Sequence, residues 1–175
     1  MDLARYIRDI PDFPKKGILF KDITPLLQDA AALKAAADAL TEPWKGRGIQ
    51  KVVGLESRGF LFGTMVAERL GVGFIPIRKK GKLPWKTIGQ QYTLEYGVDI
   101  IEIHEDAIKA GARILIVDDL IATGGTAEAA AKLISRSGGL VAGAAFLIDL
   151  PEIGGMDVLR RHGIATHALM VFEGH

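Results

Sequence analysis

Two adjacent carboxylates ahead of a turn rich in glycine and hydroxyls are the residues in this chain best suited to chemistry. They lie in Ile114 to Thr126, ILIVDDLIATGGT. The β-branched run Arg113 to Val117 predicts a buried strand that delivers Asp118 and Asp119 at its C-terminal end, the edge where parallel sheets bind ligands. Gly124 and Gly125 let the main chain turn tightly and approach a ligand. The N–H groups of Ala122 to Thr126, the hydroxyls of Thr123 and Thr126 and the start of a following helix together form an anion cradle. Carboxylates for sugar hydroxyls or a metal therefore stand beside donors for a phosphate, which is what a ribose 5-phosphate requires. An acidic turn before a capped helix would account for either half alone, but the ordered combination on strand, loop and helix is far more specific. No Gly-Lys-Ser/Thr follows the glycines and G-x-G-x-x-G is absent, so kinase-like and dehydrogenase-like readings lose their support.

The elements that must position these groups alternate between short β-rich runs and helical stretches. Lys51 to Leu55, Gly73 to Ile77, Arg113 to Val117, Leu140 to Ile148 and Thr166 to Phe172 predict strands. Asp29 to Leu40, Phe60 to Leu70 and Thr126 to Ser137 predict helices, with a shorter one over Met156 to Arg161. Asp2 to Asp9 predicts one short amphipathic helix, stopped by Pro11 and Pro14. The alternation implies an α/β fold: a mainly parallel, twisted sheet with helices on both faces. Residues 78–103 break the rhythm. A basic stretch with Gly81 and Pro84 leads into two predicted strands that turn at Gly97. A polar excursion of this length is more often a functional flap than a solvated extension.

Composition bounds the partners. The 175 residues suit one domain, with 49% apolar and 25% charged residues and a net charge of +1. Nothing in that balance calls for nucleic acid or membrane, so any basic site is local. No apolar run approaches the ~18 residues that span a bilayer, and the charged N-terminus has no apolar leader, so a cytoplasmic protein is expected. Without cysteine there is no disulfide, thiolate nucleophile or cysteine-held zinc. His104, His162, His167 and His175 are scattered without ligand spacing and read as structural or exposed.

ILIVDDLIATGGT resembles the phosphoribosyl diphosphate signature of the type I phosphoribosyltransferases. By that resemblance Asp118 and Asp119 sit near the ribose hydroxyls, and Ala122, Thr123, Gly124, Gly125 and Thr126 hold the 5-phosphate. Three further segments resemble the adenine-specific branch. GLESRGFLFG, Gly54 to Gly63, is similar to its diphosphate loop, with Glu56, Ser57 and Arg58 as diphosphate-binding residues; the guanidinium fork of Arg58 suits diphosphate oxygens. FPKKGILFKDITP, Phe13 to Pro25, resembles the base-binding segment, in which Phe20 stacks on the purine while main-chain groups of Leu19 and Lys21 read its edge. RKKGKLP, Arg78 to Pro84, and YTLEYG, Tyr92 to Gly97, resemble the catalytic loop and its return strand, with Lys79 and Lys82 closing over diphosphate and Glu95 as the catalytic glutamate.

The resemblance implies the type I phosphoribosyltransferase fold over residues 1–175, with a small N-terminal base-binding hood (1–30) and a flexible hairpin flap (78–103). It implies transfer of phosphoribosyl from its 1-diphosphate to adenine, giving AMP and diphosphate in purine salvage, by a homodimer. Magnesium would be held mainly by the substrate diphosphate, with no direct protein ligand assigned. Two alternatives stay open: a phosphoribosyltransferase for another nucleobase, xanthine or a pyrimidine, and a ligand-sensing regulator of the same fold.

Overall fold

The computed structural model describes residues 1–94 and 96–173. The chain opens with a 3-10 turn, Leu3–Tyr6, then the antiparallel pair β1 (Arg8–Pro11) and β2 (Leu19–Asp22). The helix expected over Asp2 to Asp9 therefore stops at Tyr6. Eight residues are marginal as an isolated helix, and Arg8 and Asp9 instead pair with Asp22 and Lys21 across the ribbon, reinforced by a 3.0 Å Arg8–Asp22 ion pair.

Helices α1 (Thr24–Gln28) and α2 (Ala30–Thr41) follow. The alanine-rich α2 starts where Asp29 accepts the Ala32 N–H at 2.9 Å, a cap that contributes about 1 kcal/mol. The chain then alternates through β3 (Lys51–Leu55), α3 (Arg58–Leu70) and β4 (Gly73–Lys79), adds the hairpin β5 (Thr87–Leu94) and β6 (Gly97–His104), and resumes with β7 (Arg113–Ile121), α4 (Gly125–Arg136), β8 (Leu140–Asp149), α5 (Gly155–Arg161) and β9 (Thr166–Val171). None of the described helices is long and apolar enough to cross a membrane.

Seven strands form one sheet in the order β5-β6-β4-β3-β7-β8-β9. From β4 to β9 the neighbours run parallel, while β6 joins β4, and β5 joins β6, antiparallel at one edge. This is the expected mainly parallel sheet, and the polar excursion supplies its two edge strands. Strand alternation divides the core into two layers. Ile114 and Ile116 pack with Ala130, Leu133 and Ile134 of α4. Leu115 and Val117 pack with Phe62 and Val66 of α3 and Ala36 and Leu40 of α2. Helices thus cover both faces. Strand β7 runs four residues beyond the expected Val117, because β8 continues beside it and pairs Leu120 with Ile148 and Ile121 with Asp149. Asp118 and Asp119 therefore stand inside the strand, the latter two residues short of its end, and not at its last positions.

Candidate functional site

Three cavities meet at Asp118, Asp119 and Leu120, on the C-terminal edge of the parallel strands. The smallest, about 160 Å³, is enclosed by Ala122 to Thr126. A second, about 460 Å³, lies between the start of α3 and the end of β4, against Ser57, Arg58, Arg78, Lys79 and Tyr92. The third, about 490 Å³, is walled by Leu19, Phe20, Leu120, Leu150 and Ile153. Asp118 faces the first and second, Asp119 and Arg58 the second and third, and Leu120 all three.

The smallest cavity is built by one stretch of chain. Gly124 has φ +82°, and a Cβ there would lie 2.9 Å from the Gly155 carbonyl oxygen. Only glycine combines that backbone with so close an approach. Gly155 in turn donates its N–H to the Ala122 oxygen at 2.9 Å, so the start of α5 braces the loop. At Gly125 a Cβ would meet nothing nearer than the Thr123 hydroxyl at 3.7 Å, which leaves that side open to a ligand. The loop ends at the N-terminus of α4, whose free N–H groups favour an anion.

The two carboxylates differ. The Asp119 carboxylate is buried and held by Arg58 Nε at 2.7 Å. Asp118 accepts the Asp119 N–H at 2.8 Å. Burial, and then the neighbouring Asp119 charge, push Asp118 well above its ordinary value of 3.8. Arg58 also lies 5.5 Å from the Phe20 ring, so one guanidinium links the carboxylates to the aromatic wall of the third cavity. Phe13 meets Phe20 edge-on at 5.0 Å. Leu19 is 37% exposed and Phe20 half-buried. Neither is a core residue, and both offer apolar surface to the cavity.

The second cavity is lined by three cations, Arg58, Arg78 and Lys79, and by the carboxylates of Glu56, Asp118 and Asp119. Arg78 forks onto Glu56, with Nε–Oε1 at 3.0 Å and Nη2–Oε2 at 3.3 Å, and the Lys79 N–H also reaches Glu56 at 3.0 Å. The Arg78 bond is the main reason that Glu56 titrates below its ordinary 4.5. This carboxylate ties the end of β4 to the loop before α3 and also borders the cavity. The Glu56–Ser57 peptide is cis, as is Phe13–Pro14. The basic loop between β4 and β5 is tied at both ends by Glu102, which accepts the Gly81 N–H and the Thr87 hydroxyl, each at 2.8 Å.

A profile of the phosphoribosyl transferase domain matches residues 22–157. The adenine phosphoribosyltransferase of Parvibaculum lavamentivorans is 57% identical over 175 residues, covering 100% of both chains. The chain belongs to the adenine phosphoribosyltransferase family. The crystal structure of that enzyme from Rhodothermus marinus has a TM-score of 0.92 at 52% identity, covering 97% of this chain and 96% of its own. The Saccharomyces cerevisiae enzyme, solved with adenine and an imino-altritol bisphosphate, has a TM-score of 0.86 at 39% identity, covering 97% of this chain and 96% of its own. Members of this family are glycosyltransferases, and the α/β fold expected from the sequence is theirs.

The structure gathers Asp118, Asp119, the Ala122–Thr126 loop, Glu56, Ser57, Arg58 and Lys79 around two adjoining cavities, with Leu19, Phe20 and Lys21 around the third. Lys82 is exposed on the turn and borders none of them, although its charge adds to the lowering of Glu56. Glu95 and His175 lie outside the described residues. His104 accepts the Trp85 N–H at 3.3 Å, and His162 meets Glu128 at 2.6 Å, both away from the three cavities. Sequence reasoning did not single out Arg78, Tyr92, Leu120, Leu150 or Ile153. Leu120 stood inside the signature itself, where a leucine after two acids signals nothing beyond core. Leu150 and Ile153 reach the site only through the topology that sets β8 beside β7.

Proposed function

We infer that the chain transfers the phosphoribosyl group of 5-phospho-α-D-ribose 1-diphosphate to adenine, giving AMP and diphosphate. The observation that carries this reading is the meeting of a phosphate-sized loop, a polar cavity bearing Ser57, Arg58 and Lys79, and an aromatic-walled slot at one pair of carboxylates. Family membership and the neighbouring structure that holds adenine support the choice of base.

The bond from the anomeric carbon to diphosphate oxygen breaks as the bond to adenine N9 forms. The leaving diphosphate takes the electron pair, and the N9 proton must depart. Ala122 to Thr126 hold the 5-phosphate through main-chain N–H groups and the Thr123 and Thr126 hydroxyls. Asp118 and Asp119 accept from the ribose hydroxyls and set negative charge beside a carbon that becomes oxocarbenium-like. Ser57, Arg58 and Lys79 receive the departing diphosphate, Lys82 closes over it from the β4–β5 loop as the resemblance implies, and Arg78 is held by Glu56 behind them. Phe20 and Leu120 sandwich the purine, and the main chain of Leu19 and Lys21 reads its edge. Glu95 has the role that the resemblance implies, stabilising or taking the purine proton.

Among the described residues no group of three or more His, Asp or Glu side chains could cage a metal. The carboxylate oxygens of Asp118 and Asp119 nevertheless fit a hard divalent cation that arrives on diphosphate and keeps most of its ligands there. Bound magnesium would neutralise charge on the leaving group. We place the activity in a cytoplasmic homodimer serving purine salvage, with residues 1–175 as one catalytic domain, in keeping with the family resemblance. Purified chain with magnesium, phosphoribosyl diphosphate and a panel of nucleobases tests the reading. AMP from adenine is expected. No product, or a preference for hypoxanthine, guanine or xanthine, overturns it.

A further inference from the structure

Strand β2 supplies the edge assigned above to reading the base, yet it belongs to a ribbon of only two strands. Such a ribbon is marginal by itself, so something must fix it to the body of the protein. Lys21 stands near its centre. Its side chain is only 4% exposed, and Nζ lies 2.6 Å from Asp9 Oδ1 on the paired strand. The same ammonium sits 4.4 Å above the Phe172 ring. Phe172 follows β9, and its N–H donates to the Asp149 oxygen at the end of β8, at 3.1 Å. One buried charge thus joins β1, β2 and the far edge of the main sheet.

Burying an ammonium is unfavourable unless it is paired, and methionine would fill the same space without that penalty. The charge therefore serves geometry. Lys21 also borders the base cavity. With its side chain so enclosed, what it offers there is its main chain. Leu19 and Lys21, two apart on a strand, direct their main-chain groups to the same edge. We propose that Lys21 is a positioning residue: clamped between Asp9 and Phe172, its ammonium sets the β2 edge at the distance from Leu120 that adenine requires. This rests on the adenine reading above and gives Phe172, which follows the last strand, a part in base recognition.

The test uses the full chain and compares Lys21→Met, Lys21→Arg and Phe172→Leu with wild type. A main-chain displacement of about 1 Å at a binding edge is enough for a large loss. The KM for adenine is expected to rise about tenfold or more in Lys21→Met and about threefold in Phe172→Leu, while the KM for phosphoribosyl diphosphate stays within about twofold. Lys21→Arg, which keeps both the ion pair and the ring contact, is expected to restore adenine KM to within about threefold. If Lys21→Met does not fold, Phe172→Leu carries the same comparison of the two KM values. An unchanged adenine KM, an equal rise in both KM values, or no rescue by arginine overturns the clamp. Wild-type protein that makes no AMP from adenine sinks the functional reading, and the clamp's purpose with it; active wild type with unaffected variants sinks the clamp alone.

Discussion

The phosphate loop and the base cavity are neighbours that share Leu120, but they are built in opposite ways. The loop is one continuous stretch, Ala122 to Thr126, at the end of a central strand and braced by Gly155. The base cavity collects Leu19 and Phe20 from the N-terminal ribbon, Arg58 from α3, Leu120 from β7, and Leu150 and Ile153 from the chain after β8. A common need of every phosphoribosyl substrate is met by a rigid local structure. The choice of base is met by surfaces that tertiary packing brings together, where the walls from the N-terminal ribbon and from the chain after β8 lie outside the loop.

Breaking the loop is expected to have the largest effect. Gly124→Val combines a forbidden backbone with a clash on the Gly155 main chain, so the phosphate donors move. Steady-state kinetics should show kcat/KM for phosphoribosyl diphosphate falling by about 10²–10³-fold, the range seen when one preorganised donor is lost. Removing an aromatic wall is milder and falls on the other substrate. Phe20→Ala is expected to raise adenine KM about 5- to 150-fold, since stacking a base on an aromatic ring contributes about 1–3 kcal/mol. If either substitution struck both substrates equally, the division between the two regions would fail.

The smallest expected effect concerns stability and separates Asp118 from its surroundings. Its raised pKa means that ionisation at neutral pH opposes folding. Below pH 3.8 the folded and unfolded chains both hold the proton, and the penalty vanishes; it grows as pH rises from 3.8 toward the elevated folded value and is constant above it. Substrate-free Asp118→Asn should therefore melt higher than wild type at pH 7, by about 2–4 °C for each kcal/mol released, and converge with it toward pH 3.8. Calorimetry across pH checks this. A lower melting temperature at pH 7 would mean that the ionised carboxylate is stabilising. Activity should fall in the same variant, because the ribose loses an acceptor.

The contrast between the two regions also explains what could be read in advance. Strand β3 and the starts and ends of α2, α4 and β8 were legible to within about a residue, because buried β-branched runs and alanine-rich stretches give strong periodic signals. The loop was legible for the same reason: its carboxylates, glycines and hydroxyls are contiguous. Arg8 and Asp9 were misread as helix because their strand character comes from partners fourteen and twelve residues away. The Arg58–Asp119 pair, the Lys21–Phe172 contact and the walls Leu150 and Ile153 depend on strand order, which local pattern does not carry. The side chain of Lys21 shows the difference most clearly. As a residue in a base-binding segment it suggested only a main-chain contact, and its buried ammonium became visible only with the C-terminus folded against it.

The central claim is that one nucleotide spans both regions, and a crystal structure of the chain with AMP tests it most directly. The account predicts the 5-phosphate on the N–H groups of Thr123 to Thr126, the ribose hydroxyls at Asp118 and Asp119, and the purine between Phe20 and Leu120 with its edge against Leu19 and Lys21. AMP with its base outside the Phe20–Leu120 slot, or with its phosphate away from the loop, would contradict it.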